Sequence, residues 1–259
     1  MRLLDRIFLL GDTHGNARWV REMCDLARFF GCSRMLQLGD FGIKKGERGS
    51  RFLDDCQAAA GRAGVEINAI PGNHEDYDEV LDLERRRDSD GFVTLRPSVR
   101  WIPRGIRWEW SGRRFGSIGG AYTTSAHRRT PRVDWWPAVE EASSADVLRL
   151  GGAPLDVLVT HDVPFGGEPE PIVSISREAR SRSMDTRLLL RQAVGLTKPA
   201  LVVHGHWHLR HTSEIIVHPD HRVVVEGLAS DKRREGGWAL LDLASLSVVS
   251  EAQGQAQAA

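Results

Sequence analysis

The sequence predicts an α/β fold in which a sheet with parallel strands is covered by helices. Three observations carry this. Short apolar runs of strand length alternate with amphipathic helical stretches through residues 7–70. Later runs alternate apolar and polar residues around turn dipeptides, so antiparallel strands are expected as well. Several buried runs also lead into polar clusters, most of them with glycine, and open parallel sheets collect ligands beyond the carboxyl ends of their strands.

In order, Ile7 to Leu10 reads as a buried strand, followed by a helix over Asn16 to Phe30. Val20, Met23, Ala27 and Phe30 form its apolar stripe, Asn16 can cap its start and Gly31 can end it. Met35 to Leu38 is the second strand. Phe52, Leu53, Cys56, Ala60 and Ala63 mark a helix over Ser50 to Ala63. Val65 to Ile70 is a third strand, closed by Pro71-Gly72. Within Glu75 to Val99, Arg85-Arg86-Arg87 reads as a solvated helix face or loop.

The pattern then changes. Ile106, Trp108 and Trp110 alternate with Arg107 and Glu109, and Ser111-Gly112 leads to Phe115 to Ile118, an antiparallel hairpin. Gly119 to Arg132 is a polar loop. A helix falls between Ala138 and Leu150, a strand over Asp156 to Thr160, and a helix around Met184 to Val194 bounded by Gly195 and Pro199. Ala200 to Val203 is a strand. Val223 to Val225, Trp238 to Leu243 and Leu246 to Val249 are expected as closing antiparallel strands. Residues 1–250 read as one domain, and the Gln/Ala-rich stretch 251–259 as a disordered tail.

Composition narrows the function. Lys plus Arg number 35 and Asp plus Glu 35, so no global field favours nucleic acid or an anionic membrane. No stable nucleic-acid partner is expected, though a small phosphate needs only local positive charge. Cys24, Cys32 and Cys56 show no Cys-x-x-Cys spacing and read as reduced thiols of a cytoplasmic protein. The apolar run Ile7 to Leu10 is too short for a signal peptide, and no run approaches the roughly 20 residues of a membrane span. No Gly-Lys-Ser/Thr closes a glycine-rich turn, so Walker-type triphosphate hydrolysis is not indicated.

The chemistry sits in five clusters: Gly11-Asp12-Thr13-His14-Gly15, Gly39-Asp40, Pro71-Gly72-Asn73-His74-Glu75, Thr160-His161-Asp162 and His204-Gly205-His206-Trp207-His208. Singly, most are ordinary loop sequences, although three histidines in five residues point to metal even alone. Together, each at a strand end, they can aim polar side chains into one crevice. Asp12 and His14 are two apart, as are His206 and His208, and an extended backbone would send each pair to one side. A carboxylate among such clusters can put one oxygen on each of two cations, and Asp40 is read as that bridge. Carboxylate, imidazole and amide oxygen suit manganese, iron, zinc or cobalt. The absence of thiolates argues against a structural zinc–cysteine site.

The series Asp12-x-His14, Gly39-Asp40, Gly72-Asn73-His74-Glu75, His161 and Gly205-His206-x-His208 resembles the calcineurin-like metallophosphoesterase superfamily over nearly the whole chain. The resemblance implies a four-layer αββα sandwich of two mixed β-sheets flanked by helices. It implies a hydrolase of phosphate esters with two divalent ions, manganese first among them. Asp12, His14 and His208 would hold one ion, and Asn73, His161 and His206 the other, with Asp40 bridging. A water or hydroxide shared by ions roughly 3.5–4 Å apart would attack in line. The catalytic His74 would face the phosphate and assist the leaving oxygen.

This sequence departs from some branches of that superfamily. In the protein Ser/Thr phosphatases the second motif continues into Asp-Arg-Gly and an Arg precedes Gly-Asn-His-Glu. Here Gly39-Asp40 continues as Phe41-Gly42-Ile43, and Pro71 precedes Gly72. The large additional domain of the repair nucleases is also missing. The expectation is a compact, single-domain member of bacterial or phage type, a phosphodiesterase acting on a small phosphate ester, with 2′,3′- or 3′,5′-cyclic nucleotides as candidate substrates. A broad-range phosphomonoesterase is the alternative, and a non-catalytic interaction module on the same fold the third reading. The presence of His74 favours catalysis. Tyr122, His127, Arg128 and Arg129, in the loop 119–132, are candidates to stack on a base or hold a phosphate, or else belong to a solvated loop.

Overall fold

The structure is a computed structural model and describes residues 5–137, 139–169, 177–233 and 235–250. The first sheet is built from β1 (Arg6–Leu10), β2 (Arg34–Gln37), β3 (Glu66–Ala69), β4 (Val93–Arg96) and β5 (Val99–Trp101), with helices α1 (Ala17–Phe29), α2 (Gly46–Ala63) and α3 (Tyr77–Leu83) between them. The second begins with β6 (Arg107–Trp110) and β7 (Arg113–Ile118), continues through α4 (Ser144–Leu150), β8 (Val157–Thr160), α5 (Arg177–Thr197) and β9 (Leu201–His204), and adds β10 (His211–His218) and β11 (His221–Gly227). The chain then returns to the first sheet as β12 (Trp238–Asp242) and β13 (Ser247–Ser250).

The strand orders are β13-β12-β1-β2-β3-β5-β4 and β10-β11-β9-β8-β7-β6. Each sheet has a parallel centre, β1-β2-β3-β5 in one and β7-β8-β9-β11 in the other. Antiparallel strands flank both centres. Period-two alternation sets the layers. Ile7 and Leu9 face the inner core, where they meet Val157, Val159, Leu201 and Val203 of the opposite sheet. Phe8 and Leu10 face outward onto Val20, Met23 and Phe52 of α1 and α2. Leu158 and Val202 face the other way, onto Leu190 and Val194 of α5. The result is the αββα sandwich, with two mixed sheets between helices.

Local signals explain most elements. Asn16 caps α1, its side chain accepting from the Trp19 N–H at 3.1 Å. Ser111 (φ 51°) and Gly112 (φ 75°) both take the left-handed conformation that a two-residue hairpin turn needs. Arg85 and Arg86 pair with Asp82, and Arg87 with Glu84, so that basic run is a solvated face.

Three expectations are corrected. Gly195 lies inside α5 instead of ending it; a Cβ there would meet nothing, so no backbone demand makes it a stop. β11 pairs in parallel with β9 and only its other edge is antiparallel. α2 starts at Gly46, four residues before the expected Ser50. The stretch expected as a disordered tail, 251–259, lies outside the described residues. Cys24, Cys32 and Cys56 are buried and unpaired, and burial pushes the Cys24 and Cys32 thiols up to about 12 and about 11. Among the described residues no helix is long and apolar enough to cross a membrane.

Candidate metal centre

The parallel strands of both sheets deliver their polar clusters to one place. Asp12 and His14 follow β1, Asp40 follows β2, Asn73 follows β3, His161 follows β8, and His206 and His208 follow β9. Donor atoms converge in two groups: Asp12, His14, Asp40 and His208 form one, and Asp40, His161 and His206 the other, each within 4.8 Å. Asp40 belongs to both. Asn73 Oδ1 lies 3.1 Å from His161 Nε2, beside the second group. All seven expected ligands are therefore brought together. His74 stands at the rim, its ring 5.8 Å from that of His14.

The ligands do not converge through extended backbone, as their spacing alone would have it. His14, Asp40, His206 and His208 have φ of 48°, 54°, 64° and 51°. Non-glycine residues in this region carry strain of roughly 1–3 kcal/mol each, and such strain gathers at functional sites. Two glycines permit the approach. A Cβ on Gly72 would collide with the backbone N and Oδ1 of Asp40, and one on Gly205 with Oδ1 of Asp12.

Outer partners fix the donors. His161 Nδ1 donates to the Leu38 carbonyl at 2.7 Å, which leaves Nε2 facing the centre. Asn73 Nδ2 donates to Thr123 Oγ1 at 2.9 Å and so turns its carbonyl oxygen inward. Glu140 holds Thr123 in turn, accepting from its backbone N–H at 3.0 Å. Burial pushes the Glu140 carboxyl up to about 7. Buried Glu75 accepts three backbone N–H groups, from Phe41, Gly42 and Ile43, at 2.7–3.0 Å, and pins the turn after Asp40. Asp231 Oδ1 lies 3.3 Å from His14 Nδ1, and its Oδ2 accepts from Asn16 Nδ2 at 3.0 Å.

Sequence reasoning missed Asp231, Thr123 and Glu140. Asp231 is 217 positions from His14 and sits in a polar turn with no pattern of its own. Thr123 lies in the loop 119–132, where the sequence points instead to Tyr122, His127, Arg128 and Arg129. Of those, Arg129 lines a cleft with Lys44, His74 and Lys232. Tyr122 is buried beneath Arg182, and His127 and Arg128 are exposed and bonded to each other.

Does this donor set fit divalent cations? Asp12 and Asp40 are both buried, and Asp40 Oδ2 has no hydrogen-bond partner. An orphaned buried carboxylate oxygen facing imidazoles is what a cation would satisfy. The protonation pattern agrees. Burial alone would lower His14 and His161, yet Asp40 and Asp12 push them up to about 9 and about 10. Burial also opposes the Asp40 charge, but His161, His74 and His14 outweigh it and hold that carboxyl well below the usual range. Desolvation and the neighbouring His161 push half-buried His206 down to about 3. Without metal, two protons balance two carboxylates, and divalent ions can replace them.

Two expected results follow. Asp231→Asn weakens metal binding by roughly 10–100-fold, because the imidazole of His14 loses its orienting carboxylate; calorimetric titration with manganese reads this, and an unchanged affinity would contradict the assignment. The second concerns pH. His14 and His161 have folded values above the ordinary 6.5. Their stabilisation is complete below about 6.5 and is lost as pH rises through about 9 and about 10. The Tm of chelator-treated protein should fall between about pH 6.5 and 7.5, before thiols of ordinary pKa, about 8.5, begin to ionise appreciably; a flat or rising Tm would contradict it.

The family model of calcineurin-like phosphoesterases matches residues 5–210. A search among curated proteins returned no match. Among solved structures, a Thermus thermophilus protein is similar at a TM-score of 0.60 and 15% identity, over 95% of this chain and 97% of that one. A dimetal phosphatase from Danio rerio is similar at 0.57 and 13%, over 96% and 93%. At such identity the likeness is one of fold, and the match of sequence to the family rests on the residues 5–210. The chain belongs to the calcineurin-like phosphoesterase family.

Proposed function

We propose that this phosphoesterase cleaves phosphodiester bonds, cyclic nucleotides among them, using two divalent ions. Asp12, His14 and His208 hold one ion, and Asn73, His161 and His206 the other. The observation that carries the reading is the shared carboxylate: Asp40 belongs to both convergent groups, is buried, and keeps Oδ2 unpartnered. Manganese is the ion we favour among the manganese, iron, zinc and cobalt that carboxylate, imidazole and amide donors without thiolate suit. Bound ions would supply an acidified water and offset charge on the phosphoryl oxygens.

The remaining work falls to the chain. Leu38, Thr123 and Asp231 hold the ligands in one orientation, so little reorganisation is needed when a substrate arrives. Burial lowers the His74 pKa, with Arg129 and His14 acting in the same direction and Asp40 opposing them. A neutral imidazole still donates one N–H, which can bind a phosphoryl or leaving oxygen. Lys44 Nζ donates to the His74 carbonyl at 2.5 Å and steadies that turn. We read residues 1–250 as one working domain, because β12 completes the first sheet beside β1 and β11 the second beside β9. The unpaired, buried cysteines fit the cytoplasm.

One observation favours the monoesterase alternative. The cleft of about 350 Å³ on the Arg129 side is lined by Lys44, Arg129 and Lys232, which suits the extra charge of a monoester. The test is kcat/KM for bis-p-nitrophenyl phosphate against p-nitrophenyl phosphate in manganese-loaded protein. A higher value for the diester is expected, and a monoester preference would overturn the first reading in favour of the second.

A further inference from the structure

A second cleft, of about 470 Å³, opens from Asp40, Asn73, His74 and His206 and runs on to a wall formed by Phe165, Arg187 and Trp207. None of these three is a proposed ligand. Trp207 stands between His206 and His208, and its indole Nε1 donates to Oδ1 of buried Asp162 at 2.8 Å. That bond holds the ring in place at the edge of the metal centre. Phe165 is 41% exposed, which is costly for an aromatic ring unless something covers it.

Arg187 is the unusual member. It is only 4% exposed, yet it lines the cleft. Its guanidinium carbon lies 5.9 Å from the Phe165 ring centroid and 5.6 Å from that of Trp207. It pairs with Glu168, but its Nε is buried with no hydrogen-bond partner, and so is Oδ2 of Asp162. A buried orphan donor and a buried orphan acceptor in one wall call for a ligand that answers both. The two acids offset the arginine, so this wall does not recommend itself to a second phosphate. A saturated alkyl group would cover the rings and leave both polar atoms unanswered. A flat heteroaromatic ring, with π-faces to stack and donors and acceptors on its edge, meets every feature.

We propose that this arm of the cleft is a nucleobase subsite, in which Phe165 and Trp207 stack on the base and Arg187 reads its edge. The proposal builds on the phosphoesterase site above but does not require that the ester be a diester. The test compares adenosine 5′-monophosphate with ribose 5-phosphate, which share sugar and phosphate and differ only in the base. Dissociation constants come from calorimetry on manganese-loaded protein. If the protein hydrolyses these monoesters, the kcat/KM ratio carries the same information, and the diesterase reading falls separately. The base should improve binding roughly tenfold or more, the size of a base–aromatic stack. Phe165→Ala and Arg187→Met should each bring the ratio close to one. Phe165 is partly exposed, so its variant remains informative should the arginine variant fail to fold. Equal affinities in the wild type, or an undiminished ratio in the Phe165 variant, would overturn the proposal.

Discussion

Asp40→Asn should empty both metal positions at once and lower turnover by roughly 10³-fold or more, the several kcal/mol that metal-ion chemistry supplies. The substitution is nearly isosteric. It keeps the oxygen that accepts the His74 backbone N–H at 2.7 Å, so the turn after β3 stays in place. What it removes is charge. Asp40 Oδ2 lies 3.5 Å from His14 Nε2, and Oδ1 lies 3.4 Å from His161 Nε2, one imidazole from each convergent group. Among the described residues no other belongs to both groups. Asp12→Asn is the contrast: Asp12 belongs to the first group alone, so binding should weaken mainly there. Manganese titration of the two variants, with circular dichroism to show that both are folded, separates them. Full two-ion occupancy and an unchanged rate in Asp40→Asn would remove its bridging role.

His74→Asn should leave both ions bound while turnover falls by roughly 10²–10⁴-fold, the range of a positioned acid or base. The side chain of His74 is absent from both convergent groups, and its ring stands at the rim where the two clefts meet. The loss should follow the leaving group. A p-nitrophenolate departs without a proton, so bis-p-nitrophenyl phosphate should suffer least. A nucleoside alkoxide needs a donor, so a cyclic nucleotide should suffer most. Equal losses for the two substrates, with chemistry rate-limiting, would make His74 a phosphate-positioning group. Losses near one for both would leave it a purely structural part of the turn.

Much of the fold could be read from local pattern. Ile7 to Leu10 and, apart from Gln37, Met35 to Leu38 are apolar because they are buried on both faces, and α1 carries an apolar stripe with a capping Asn16. Where the reading failed, a local preference was overruled by packing. Gly46 and Gly49 argue against helix, but Gly49 lies so close to the Lys44 carbonyl that a Cβ would collide with it. The first turn of α5 is almost wholly polar, so its start resembled loop. β10 alternates weakly, with Ile215 its one buried residue, and was not foreseen. The site divides in the same way. Its expected ligands stand out because each sits in a short cluster at a strand end, most of them beside a glycine. The residues that orient them do not, because Thr123 is 50 positions from Asn73 and Asp231 is 217 from His14, and nothing in the local sequence records either pairing.

The central claim is that one buried carboxylate organises two cation sites. Elemental analysis of fully active, desalted protein tests it most directly. The expected result is two divalent ions per chain in the wild type, with both lost from folded Asp40→Asn. Full activity at one ion per chain or fewer would contradict it.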